Sequence, residues 1–137
     1  GGSIMQVDPL AGYNLVSDPA ILDTQRRMAR AFGLPIIWGT SADLDGRSLS
    51  VARDAGVPAI YAEFLGGGTC SEAGVQAYYE GCLNVMAELE MIDPRSAPTL
   101  PEIEVEDTRP SSGHMQICHP SPADGYFEPS VVLGQTI

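Results

Sequence analysis

The block Gly33-Leu34-Pro35-Ile36-Ile37-Trp38 returns as Gly56-Val57-Pro58-Ala59-Ile60-Tyr61, and each copy follows a helix-like stretch. Glycine ends a helix, proline holds the chain extended, and an unbroken apolar run is what a strand covered on both faces carries. Helix, glycine, proline and strand make half of a βαβ unit, here written twice, so the chain is expected to fold as α/β with a parallel sheet. The first helix should take Asp18 as its N-cap and Pro19 as its first residue, bury Ile21, Met28 and Phe32, and stop at Gly33. Its Arg26, Arg27 and Arg30 read as a solvated face. The second helix is short, about Ser48 to Ala55.

The second apolar run continues as Ala62-Glu63-Phe64-Leu65 and enters Gly66-Gly67-Gly68. Ligands of a parallel α/β sheet bind outside the carboxyl ends of its strands, which makes Glu63 the best-placed ionisable group in the chain. Glycines just after it, Gly66 and Gly67 among them, let a substrate approach the backbone, and the helix that follows can turn its N-terminus toward an anion. The alternative for a strand-terminal glutamate is a structural pair with an arginine. Thr69 and Glu72 have the spacing of a capping box, and Val75, Tyr79, Cys82, Met86 and Leu89 follow at helical intervals. That stripe is expected to be core, with no chemical role for Cys82.

This helix should end near Asp93-Pro94, and residues 94–101 have the proline density of a linker. Short alternating segments at Ile103 to Val105, Met115 to Cys118 and Tyr126 to Leu133 predict a small β-rich subdomain, incomplete at 102–137, after an α/β unit at 1–93.

Composition narrows the chemistry. The 137 residues are 44% hydrophobic, enough for a core, and carry seven arginines, no lysine and eighteen acidic residues, a net charge of −11. Without lysine there is no Schiff base and no phosphate-loop lysine, and without a basic stripe no nucleic-acid partner is expected. The three glycines lack the spacing of a dinucleotide loop. No apolar run reaches the ~20 residues of a membrane span, and the start lacks a signal peptide's basic and apolar regions, so no membrane association is expected. Cys70, Cys82 and Cys118 form no C-x-x-C pair, which fits a reducing cytoplasm. Cys70 precedes a helix but has no histidine near it in sequence to make it a nucleophile. His114 and His119 stand in a strand-like region, where their spacing does not make a helical metal pair.

Residues 46–68, Gly-Arg-Ser-Leu-Ser through Gly-Gly-Gly, followed by Gly81-Cys82-Leu83-Asn84-Val85-Met86, resemble the succinylglutamate desuccinylase/aspartoacylase family of zinc-dependent deacylases. That family has a Gly-[Ile/Val]-Pro turn, matched at Gly56-Val57-Pro58, and an apolar strand ending in Glu-x-Gly-Gly, matched at Glu63 to Gly67 with one extra residue. The stretch Ile117 to Pro129 is similar to the opening of its C-terminal β-subdomain. The resemblance implies part of a three-layer zinc-carboxypeptidase-like sheet with flanking helices, the C-terminal half of a catalytic domain. It implies a small N-acyl amino acid substrate, and a homo-oligomer is compatible with it. The family's His-x-x-Glu pair and later histidine have no match here, so no metal ligand is assigned and zinc is expected only with the missing N-terminal half, none on this chain alone.

Residue by residue, Glu63 alone matches a catalytic position, the general base and acid that activates water and then protonates the leaving amine. An arginine gripping the substrate carboxylate is expected of such an enzyme. Arg53, on the helix before the catalytic strand, is the candidate and Arg47 the alternative. The rival to a deacylase fragment is a metal-free binding or assembly module descended from the same fold. Glu63 beside three glycines favours the first; the absent ligands favour the second.

Overall fold

A computed structural model of the chain describes residues 6–68, 70–113, 121–126, 128 and 130. In chain order they form β1 (Gln6–Leu15), α1 (Pro19–Phe32), β2 (Ile36–Ser41), α2 (Ser48–Asp54), β3 (Tyr61–Gly66), α3 (Glu72–Glu88) and β4 (Ile103–Asp107). The strands make one four-stranded sheet in the order β3-β1-β2-β4. The architecture is α/β, as expected, but the sheet is mixed: β1 and β4 run parallel to β2, and β3 runs antiparallel to β1.

The direction of β3 corrects the reading of the repeated block. Glycine, proline and an apolar run mark where a strand starts and leave its direction open. The seven residues of α2 span about 10 Å, half the ~20 Å of the six-residue β2. That helix does not carry the chain back to the start of β2, and β3 enters from the end at which β2 leaves. β1 itself, with Asp8 and Pro9 inside it, had no strand-like signal and was not anticipated.

α1 begins and ends as expected. The Asp18 carboxylate accepts from the Ala20 and Ile21 amides at 2.8 and 3.2 Å, Pro19 follows, and Gly33 closes the helix at φ 81°. Ala29 and Phe32 join Ala11, Tyr13, Leu34 and Ile37 in the core, with Leu22, Ala62, Phe64, Ala77 and Val85 packed against them. The buried Gln25 links β1 to the segment before β3, donating to the Asn14 carbonyl at 2.8 Å and accepting from the Ala59 amide at 3.3 Å.

The arginine face of α1 is not simply solvated. Arg26 grips Glu106 with two hydrogen bonds of 2.7 and 2.8 Å, Arg30 grips Glu104, and Arg27 reaches Glu88 of α3. Glu104 and Glu106 lie on one face of β4, so residues 103–107, expected to open a separate subdomain, form an edge of the first sheet. The fully buried Tyr13 donates its hydroxyl to Glu106 at 2.7 Å. Residues 94–101, expected to be a linker, lie against the helices: Pro98 packs by Gly33, and Arg95 bonds Asn84 and Glu80. The expected strands at Met115 to Cys118 and beyond Tyr126 lie outside the described residues, apart from single positions.

α3 turns a different face inward from the one its large residues suggested. Val75 and Tyr79 are 56% and 59% exposed, Cys82 and Leu89 are also exposed, and Gly74, Ala77, Gly81 and Val85 face the core. A Cβ on Gly81 would stand 2.7 Å from the Phe32 ring. The helix comes this close to α1 because its contact face is small, and a small face looks weak in hydropathy. Its N-cap is Ser71, whose hydroxyl accepts from the Gly74 amide at 3.1 Å; the expected cap, Thr69, lies outside the described residues.

Gly81→Ala should therefore destabilise the chain. The helix gains up to ~1 kcal/mol in propensity, but overpacking against a core ring costs about 1–3 kcal/mol, and urea unfolding should show a net loss. The second expectation concerns pH. Hydrogen bonds from Arg26 hold the Glu106 carboxyl below its ordinary value of 4.5. A depressed folded-state pKa stabilises above the unfolded value and loses that contribution as pH falls through the depressed one. Glu106→Gln should be less stable than the parent at neutral pH by about 1 kcal/mol, and the gap in unfolding midpoints should close below pH 4.5.

Candidate active site

Successive side chains of a strand point to opposite faces, and in β3 Ala62 and Phe64 enter the core beneath the helices. Tyr61 and Glu63 therefore stand on the other face. Register sets Tyr61 opposite Gly12 and Glu63 opposite Leu10 on β1, and Gly12 and Leu10 stand beside Trp38 and Ile36 of β2. The functional candidates thus share a face with an apolar row from the central strands.

Gly12 is where that arrangement is tightest. A Cβ there would lie 2.3 Å from Cε1 of Tyr61 and 2.6 Å from its hydroxyl oxygen, so the phenol ring lies directly over the β1 backbone. Burial, first, and the charge of Glu63, second, push the Tyr61 phenol up to about 12, while the charge of Arg47 acts the other way. Tyr78 of α3 is also raised, by burial and then by Glu63, and it donates to the Ala62 carbonyl at 2.7 Å. Glu63 is half-buried, and among the described residues its carboxylate makes no hydrogen bond or ion pair. The arginine pair that would make it a structural residue is not formed.

One premise about Glu63 needs correction. Because β3 is antiparallel, its carboxyl end lies beside the amino end of β1, with Gly66 opposite Gln6. Glu63 is consequently not at the carboxyl edge of a parallel sheet. After it the backbone turns sharply: Leu65, Gly67 and Gly68 have φ of 55°, 68° and 69°. Consecutive left-handed positions require glycine, and nothing lies within 4 Å of where a Cβ on Gly67 or Gly68 would be. Gly66 is the last residue of β3. The N-terminus of α3 carries Glu72 in its first turn, which already supplies the negative charge its dipole favours.

The two arginine candidates separate. Arg53 is spent within its own loop: Nε bonds Asp54 and Nη2 bonds Asp45, both at 2.7 Å, and Nη1 bonds the Ala42 carbonyl. Arg47, the exposed N-cap of α2, makes no side-chain hydrogen bond or ion pair among the described residues, alone among the seven arginines. Of the seven arginines, it is the one whose charge acts on Tyr61. Tyr61 escaped the sequence reading because it was counted into an apolar run; period-two alternation from Glu63 was the signal that marked it.

Cys70 is exposed and lines a cavity of about 400 Å³ with Phe64, Ser71, Gly74 and Tyr78, which Glu63 does not line. His114 and His119 lie outside the described residues. Among the described residues no three His, Cys, Asp or Glu side chains converge to hold a metal, and no helix is long and apolar enough to cross a membrane.

No protein-family model and no curated protein matches the chain. Solved structures do. The ectoine utilization protein EutE (DoeB) from Ruegeria pomeroyi, with product bound, superposes with a TM-score of 0.69 at 19% identity over 78% of this chain and 33% of its own. A succinylglutamate desuccinylase from Silicibacter sp. TM1040 gives 0.68 at 18% identity, over 82% of this chain and 34% of its own. The fold is theirs. A succinylglutamate desuccinylase/aspartoacylase from Rhodobacter sphaeroides gives 0.59 at 22% identity, over 74% of this chain and 28% of its own. Two of these three structures carry the name of the family that the Gly56 to Gly67 block resembles. This chain spans about a third of the length of these proteins.

The coupling between Glu63 and Tyr61 can be read directly. A phenol raised to about 12 stays protonated well past the ordinary 10.0, and removing the Glu63 charge removes one of the causes. Phenolate absorbance, taken as the difference between the parent and Tyr61→Phe, should place Tyr61 near 12, and in the Glu63→Gln background the same difference should move back toward 10.0.

Proposed function

We propose that this chain is part of a deacylase that removes the acyl group from an N-acyl amino acid or a related small amide, with Glu63 as its general base and acid. The observation that carries this reading is a half-buried carboxylate with no ion-pair partner among the described residues, on one sheet face with Tyr61, in a fold shared with desuccinylase/aspartoacylase-type proteins. A Glu63 Oε takes a proton from the water that attacks the amide carbonyl carbon. When the C–N bond of the tetrahedral adduct breaks, the same oxygen returns that proton to the leaving nitrogen. An arginine partner would occupy the oxygens that must reach the water, so the absence of such a pair at Glu63 among the described residues matters.

Arg47, rather than Arg53, is the cation for the substrate carboxylate. Arg53 would have to break its bonds to Asp45, Asp54 and the Ala42 and Leu44 carbonyls to serve. Zinc belongs to this reading through the family that the Gly56 to Gly67 block resembles. Among the described residues no three His, Cys, Asp or Glu side chains could hold it, and no zinc ligand is assigned on them.

The test uses the whole polypeptide that contains this chain. Glu63→Gln keeps size and removes the proton carrier, so kcat should fall ~10²- to 10⁴-fold with zinc content and unfolding midpoint unchanged. A variant with turnover close to the parent's removes Glu63 from the mechanism.

A further inference from the structure

Two of the three tyrosines that pack against the sheet use their hydroxyls: Tyr13 donates to Glu106 and Tyr78 to the Ala62 carbonyl, each at 2.7 Å. The third, Tyr61, makes no hydrogen bond among the described residues, although its ring is held against the backbone of Gly12. No buried side-chain polar atom among the described residues lacks a partner, so this hydroxyl is open to water and to a ligand. The ring is already immobilised, so a ligand that accepts from the hydroxyl meets a group whose ordering cost is largely met by the fold.

The surroundings say what kind of acceptor fits. Glu63 stands two residues along the same face, and a substrate carboxylate brought near it would be repelled. Donors are needed to offset that repulsion, and two without internal partners are at hand: the Arg47 guanidinium, and the Tyr61 hydroxyl that feels its charge. We infer that the Tyr61 hydroxyl donates a hydrogen bond to the carboxylate of the substrate's amino acid half, sharing it with Arg47, and that Gly12 is glycine so that this phenol can lie where it does. Tyr61 is a binding residue and carries no proton in the reaction. This assignment rests on the deacylase reading and adds a specificity determinant to it.

The test is Tyr61→Phe in the whole polypeptide, which keeps the ring on Gly12 and removes only the hydroxyl. Hydrolysis of an N-acetyl amino acid is compared with that of its carboxamide, alongside the unfolding midpoint. Losing a hydrogen bond to a charged group should raise KM for the carboxylate substrate roughly tenfold or more, leave kcat within about twofold, and change KM for the carboxamide little. Arg47→Ala should move the same ratio in the same direction. A KM for the carboxylate substrate within about twofold of the parent's, or equal losses on both substrates, overturns the assignment. If phenylalanine upsets the midpoint, the parent answers instead: its Tyr61 ring resonances should shift with the free acyl amino acid and stay put with the carboxamide, and the reverse overturns the inference. A parent inactive on every acyl amino acid tried overturns the deacylase reading and takes this assignment with it, whereas an active parent with an unaffected Tyr61→Phe overturns Tyr61 alone.

Discussion

The Tyr61 ring can lie across β1 in the observed register only because residue 12 has no side chain. With a Cβ 2.3 Å from the Tyr61 ring, any other residue would push the phenol off the sheet or the strands apart. The same register sets Glu63 across from Leu10 and sends Phe64 and Ala62 down into the core. A slip of one residue would bury the carboxylate among Phe32, Tyr13 and Ile37 and expose Phe64, an exchange of a charge for an aromatic ring that the core does not tolerate. The register therefore holds the site and the core in their proper places at once.

The opposite edge of the sheet is secured by charge. Glu104 and Glu106 hang from β4 toward α1, where Arg30 and Arg26 receive them, and Tyr13 reaches from the central strand to the same Glu106. Exposed ion pairs contribute little one by one, ~0–1 kcal/mol. What this cluster supplies is direction: it selects the face of β4 that lies toward α1 and leaves Ile103 and Val105 on the other side. Six of the seven arginines are committed to such pairs, and this is why the unpaired Arg47 stands out.

The two faces of the sheet consequently differ in kind. α1 and α3 cover one, drawn close by Gly81 and Gly74, and the buried residues of the core lie between. The other presents Tyr61 and Glu63 beside Trp38 and Ile36, with short α2 for helical cover among the described residues. Each glycine at a helix or strand contact here replaces a side chain that would have held two elements apart.

The sequence by itself determined what depends on neighbours along the chain. Asp18, Pro19 and Gly33 bound α1 because capping is decided within four residues, and the glycines after Glu63 mark a turn because glycine adopts a positive φ at no steric cost. The Glu63 block and its family likeness were legible for the same reason. Only the tertiary structure decided the direction of β3, the strand at β1, the attachment of β4, and which face of α3 is buried. Each turns on contacts between residues far apart in sequence: Tyr61 on Gly12, Glu106 on Arg26, Gly81 on Phe32. The choice of Arg47 over Arg53 is of that second kind too, since both are arginines flanking one short helix, and what separates them is whether acidic residues and a carbonyl have already been folded around the guanidinium.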